Sequence, residues 1–120
     1  MTPFGEILRR AVEGTPNAIG GAFADSEGEM VDSFATIDPY QWAVLTAHYG
    51  VVLAQLTAAF GTWHFGGPEY FIACHEQLEI VVQTVDAGYY ALLAFAQPAP
   101  LASALDALDI AARALRREMA

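Results

Sequence analysis

The chain has no lysine, and its five arginines occur only at Arg9, Arg10, Arg113, Arg116 and Arg117. Fourteen acidic residues oppose them, for a formal net charge of −9. With no basic stripe to displace phosphate counterions, nucleic-acid binding is not expected, and attraction to an anionic membrane surface is disfavoured on the same ground. The lone cysteine, Cys74, leaves no internal disulfide to form. Charged residues make up 16% of the chain, against about a quarter in an average globular domain. Catalytic signatures are also missing. Gly20-Gly21 and Gly66-Gly67 lie outside any GxxxxGK[ST] phosphate-loop frame, and no Ser-His-Asp arrangement stands out.

Apolar residues are abundant, at 55% of 120 positions. That length fits one domain, residues 1–120, able to bury about two thirds of its unfolded surface. So apolar a composition rules out disorder. It also leaves more oily surface than one small core hides, so a partner or second copy is expected to cover the remainder. The opening MTPFGEILRR has no basic start followed by an apolar run, so no signal peptide is expected and the location reads as cytoplasmic.

No Asp, Glu, Lys or Arg occurs from Pro39 to Pro68. Within that stretch WAVLTAHYGVVLAQLTAAF, residues 42–60, has about the length of a bilayer span. His48, Gln55, Thr46 and Thr57 interrupt it, and no Lys or Arg flanks either end. The better reading is a helix lying between a sheet and a partner, with no membrane involved.

Local patterns give the element order. Thr2 and Pro3 open a helix over 3–13 that buries Phe4, Ile7, Leu8 and Ala11, and Gly14 ends it. The run Ala18–Ala24 is a strand with small, uncharged residues on both sides; Ile19, Gly21 and Phe23 face one way and Ala18, Gly20, Ala22 and Ala24 the other. Asp25-Ser26-Glu27-Gly28 supplies a turn in which Gly28 takes positive φ, and Met30–Ala35 returns as the second strand of a hairpin. Asp38 caps and Pro39 begins a helix running to about Phe60. Its residues divide into a bulky stripe (Trp42, Leu45, Tyr49, Val52, Leu56, Phe60) suited to a core and a ridge of small residues (Ala43, Ala47, Gly50, Ala54, Ala58) suited to close approach of another helix, with the reverse assignment of the two faces as the alternative. After the linker 62–68, the runs Glu69–His75, Leu78–Thr84 and Tyr89–Ala96 read as strands joined by links too short for anything but antiparallel pairing. A last amphipathic helix runs from about Leu101 to Met119, with Asp106 and Asp109 early and its arginines late, as the helix dipole favours.

Possible chemistry is thin. Cys74 and His75 are adjacent, but neighbours on a strand point to opposite faces and cannot easily share a metal or a proton; a buried structural cysteine beside an edge histidine is expected. His48 and His64 read as interface or surface residues. The acidic turn Asp25–Asp32 lacks the terminal glutamate of a calcium loop. No catalytic residue, metal ligand or cofactor is assigned.

The order helix, two strands, helix, three strands, helix, together with AIGGAFADSEGEMVDSFA, EQLEIVVQTVDAGYYALLAF and the final helix, resembles the roadblock/LC7 family. Within it the likeness is to the bacterial branch that contains the gliding-motility GTPase-activating protein, through Ser26-Glu27-Gly28 followed by Val31-Asp32-Ser33-Phe34. The resemblance implies an α/β (α+β) fold: an α/β/α sandwich in which a five-stranded antiparallel sheet carries the first and last helices on one face and the long helix on the other. It further implies a homodimer joined by edge strands and paired middle helices. The interface candidates are then Ala43, Ala47, Gly50, Ala54, Ala58, Tyr70, Ile72 and Cys74. The implied function is a non-catalytic module serving a Ras-like small GTPase in cell polarity or motility, whose partner is the GTPase or another roadblock-domain protein. A small-molecule sensor domain with a ligand pocket is the alternative.

Overall fold

The computed structural model describes residues 2–61, 64–98 and 100–120. Its elements are α1 (Pro3–Glu13), β1 (Ala18–Asp25), β2 (Met30–Ala35), α2 (Pro39–Gly61), β3 (Tyr70–Cys74), β4 (Leu78–Asp86), β5 (Tyr89–Ala96) and α3 (Leu101–Met119). The element order is the expected one, and most boundaries agree within a residue or two. Thr62 and Trp63 of the expected linker lie outside the described residues.

All five strands form one antiparallel sheet in the order β2-β1-β5-β4-β3. β5 and β4 are central, and their residues Ile80–Val82 and Tyr90–Phe95 are buried on both faces. The face toward α1 and α3 is filled by Leu8, Val12, Phe23, Val81, Leu93, Phe95, Leu108 and Leu115. The opposite face, under α2, holds Ala22, Ala24, Ile80, Val82, Leu92, Trp42 and Tyr90. A sheet covered on both sides explains strands without the usual polar alternation.

The β1–β2 turn is built by the residues the sequence marks. Asp25 Oδ1 accepts the Glu27 and Glu29 amides, each at 3.0 Å, and Gly28 has φ of 84°. Its Cα faces α2 so closely that an added Cβ would lie 3.3 Å from Ala47. Elsewhere β1 departs from strict alternation. Its pairing with β5 shifts between Ala18 and Gly20, so Ala18 joins the α1/α3 side while Ile19 joins the α2 side. These two residues have exchanged the faces that a period of two assigns them, because the irregularity adds a residue on one strand.

Helix starts follow the capping residues. The Gly5 amide donates to Thr2 Oγ1 at 3.1 Å, and the Gln41 amide to Asp38 Oδ2 at 2.9 Å. α3 is tied to β4 by Arg116, whose Nε donates to the Val85 carbonyl at 2.7 Å, and by Gln83, whose Nε2 donates to Asp109 Oδ1 at 3.1 Å.

Candidate functional site

α2 has 23 residues, but only Trp42, Thr46, Tyr49 and Gly50 are buried. At about 100° per residue, Trp42, Thr46, Tyr49 and Leu53 form the inward stripe. On the opposite side lie Tyr40, Val44, Ala47, Val51, Ala54 and Ala58. Their spacing alternates four and three, the a/d rhythm by which two helices interlock. Tyr40 is 76% exposed, Val51 58% and Val44 50%. By length and composition alone α2 is apolar enough to cross a membrane; here its inner face packs on a sheet. Its outer face is an apolar seam, covered in part at Ala47, where the Gly28 turn approaches, and otherwise exposed.

The sequence reading named part of this seam and missed its bulkiest members. It selected Ala43, Ala47, Gly50, Ala54 and Ala58 for their small size. Ala43, Ala54 and Ala58 are exposed and Ala47 is half-buried. Gly50 turns toward the sheet and is buried by the chain itself: a Cβ there would lie 2.5 Å from Tyr90 Oη. That hydroxyl donates to the Thr46 carbonyl at 2.7 Å. Gly50 is therefore small because a buried tyrosine needs its space. The 4-3 spacing of Tyr40, Val44, Ala47 and Val51 was legible, but equally apolar residues all round α2 hid which stripe faced outward.

Burial, then the Asp25 charge, pushes Tyr90 up to about 12 from an ordinary value of 10.0. The unfolded chain ionises Tyr90 near its ordinary value while the folded chain keeps it neutral. Stability is thus fully present below that value and falls as pH rises through the window from 10 to about 12. Urea denaturation of wild type and Tyr90→Phe across this window is expected to show a steeper decline for wild type; parallel curves would contradict it.

The sheet has two edges, and they are finished differently. On β2, the Asp32 carboxylate takes the Ser33 amide at 2.8 Å and also accepts the Thr2 hydroxyl. A charged side chain on an edge strand is a usual guard against edge-to-edge pairing. β3, YFIAC, contains no charge and no proline. Its residues Phe71 and Ala73 pack toward α2, while Ile72 packs toward α3. Tyr70 and Cys74 are exposed, so the expected burial of Cys74 is corrected: it is the last residue of an edge strand, where β3 leaves the cover of the helices. The interface candidates thus fall in two groups, the α2 residues on one face and Tyr70, Ile72 and Cys74 on the α3 side of the edge.

Tyr49 links these elements. Its hydroxyl is hydrogen-bonded to His75 Nε2, its ring lies 6.2 Å from that of Phe71, and burial pushes its pKa up. No local pattern signals the Tyr49–His75 contact, which joins residues 26 positions apart. His48 is exposed on α2 and His64 is exposed beyond it. Among the described residues, no group of three or more His, Cys, Asp and Glu side chains is placed to hold a metal ion.

Comparison with solved structures identifies the fold. The chain superposes on a roadblock/LC7 domain from Streptomyces avermitilis with a TM-score of 0.87 at 12% identity, covering 95% of each chain. It superposes on the gliding protein MglB from Thermus thermophilus with a TM-score of 0.87 at 19% identity, covering 98% of this chain and 90% of that one. A structure of MglB in a tetrameric arrangement gives 0.84 at 19% identity, covering 93% and 84%. No protein-family description and no curated protein sequence matches the chain. The chain has the roadblock/LC7 fold, as its sequence resemblance implied.

Proposed function

We propose that this chain is a non-catalytic interaction module that self-associates through the outer seam of α2 and the β3 edge. In this reading it serves a Ras-like small-GTPase system in the cytoplasm, in cell polarity or motility, by binding the GTPase or another roadblock-domain protein. The observation that carries the reading is the α2 seam: a bulky apolar stripe at helix-pairing spacing, left in water by the single chain. An exposed apolar surface of this kind on a globular domain marks an interaction site. The edge asymmetry supports the same geometry, since β2 is guarded and β3 is open. Two β3 strands related by a two-fold axis extend the sheet without opposing like charges, because the strand carries none. The fold shared with MglB supports the motility setting.

The seam is neutral along its length, which suits a matching apolar helix from another roadblock-domain protein more than a charged GTPase surface. A pull-down distinguishes the two. The immobilised chain is expected to retain a roadblock-domain partner or a small GTPase from panels of purified proteins, the GTPases loaded with GDP or a GTP analogue. Retention of no protein in either panel contradicts the reading.

A further inference from the structure

β3 begins at Tyr70, whereas its neighbour β4 continues to Asp86. The mismatch leaves a corner at the β4–β5 hairpin with no strand outside it. There a groove of about 1140 Å³ runs between the C-terminal half of α2, the segment entering β3, and α3. Leu53, Ala54, Ala58, Tyr70, Tyr89 and Leu105 contribute its apolar lining. Its volume exceeds the roughly 300–1,000 Å³ usual for small-molecule sites, and it is an open trough, so it fits a length of polypeptide better than a small ligand.

Charge around the groove is predominantly negative, with four carboxylates against Arg113 and Arg116. Glu69, Asp86 and Asp106 line it, and none of their carboxylates has a cationic partner among the described residues. Of the two arginines in the wall, Arg113 is neutralised by a carboxylate, while Arg116 is tethered to a carbonyl and keeps its charge. Arg113 Nε donates to Asp109 at 3.0 Å, and Arg116 Nε donates to the Val85 carbonyl. Asp109 is held below its ordinary carboxylate value by Gln83 first and Arg113 next. Another copy of the chain is a poor match for the rim. Its Arg9 and Arg10 pair with Glu6, its Arg113 and Arg116 are held as described, its exposed Arg117 is a single cation against three carboxylates, and it brings a net charge of −9.

We infer that this groove, which adjoins the self-association surface and shares Ala54, Ala58 and Tyr70 with it, is a second docking surface whose occupant is a lysine- or arginine-rich segment of a different protein carrying apolar anchors. The anchors would seat between α2 and the hairpin, and the cations would meet Glu69, Asp86 and Asp106.

The test uses a fluorescent amphipathic Lys/Leu peptide of about 14 residues, long enough as a helix to span roughly 20 Å, with a Glu/Leu counterpart. Binding is measured by anisotropy against wild type, the groove variant Glu69→Gln/Asp86→Asn/Asp106→Asn, and a control variant of equal charge, Glu27→Gln/Glu76→Gln/Glu118→Gln. All six side chains are exposed, so the folds are expected to persist. Saturable binding of the Lys/Leu peptide to wild type is expected, with about a tenfold weakening in the groove variant, little change in the control, and no binding of the Glu/Leu peptide. Equal weakening in both variants would reduce the effect to net charge and overturn the inference; so would undiminished binding to the groove variant, or none to wild type. The mass of each variant in solution is read in parallel. A wild-type dimer that binds no peptide refutes the groove alone; a wild type that binds the peptide yet stays a monomer refutes self-association alone.

Discussion

Replacing Trp42 with alanine is expected to lower the unfolding free energy by about 3–5 kcal/mol, the range for emptying a large aromatic site in a core. Trp42 is 1% exposed and lies where the first turns of α2 meet β1. The contact is fitted from both sides. A Cβ built on Gly20 would lie 2.8 Å from Trp42 Cη2 and 2.9 Å from the Ala35 Cβ. Gly20 therefore acts as the socket for the indole, and Gly20→Val should cost about 1–3 kcal/mol or more by overpacking. The two changes act on one volume, so their combination should cost less than the sum. The indole Nε1 has no hydrogen-bond partner among the described residues, so Trp42→Phe forfeits no hydrogen bond and should be milder than Trp42→Ala. Urea denaturation followed by circular dichroism measures all four variants. A loss below about 1 kcal/mol for Trp42→Ala would remove the indole from the core of this account.

The second large effect concerns association rather than folding. Val44→Glu with Val51→Glu places two carboxylates per copy on the outer seam of α2. Both valines are exposed in the single chain, so the subunit should keep its stability to within about 0.5 kcal/mol. In a dimer paired along the seam, four carboxylates would be desolvated in an apolar contact without partners. Unpaired burial and like-charge juxtaposition each cost several kcal/mol, so the dissociation constant should rise by at least about a hundredfold. Sedimentation velocity reads this directly, and an unchanged distribution places the interface elsewhere. A large residue at Gly50 is no substitute probe, because it would strike Tyr90 within its own subunit and confuse folding with assembly.

The element order was legible because punctuation and periodicity agreed. Thr2-Pro3 and Asp38-Pro39 marked helix starts, Gly28 marked the hairpin, and short links forced antiparallel neighbours. The sandwich followed from β1, β4 and β5 being apolar on both sides. The site was legible only in part. Charge, the strongest marker of an exposed face, is missing from α2, so size alone suggested which stripe met a partner. That criterion picked Ala54 and Ala58, which are exposed, passed over the exposed Val44 and Val51, and included Gly50, which is buried against Tyr90 within the chain. The Ala18/Ile19 exchange was hidden because a strand irregularity leaves no mark in the order of apolar residues. Nor could a sequence show that β3 stops short of β4, which is what opens the groove.

The most direct test of the central claim is the molar mass of the wild-type chain, by light scattering during size-exclusion chromatography over a wide dilution series. Self-association through α2 and β3 predicts a species of at least twice the 12.9 kDa chain mass that dissociates on dilution or on introducing Val44→Glu/Val51→Glu. A single well-behaved 12.9 kDa species at the highest concentration reached would contradict it.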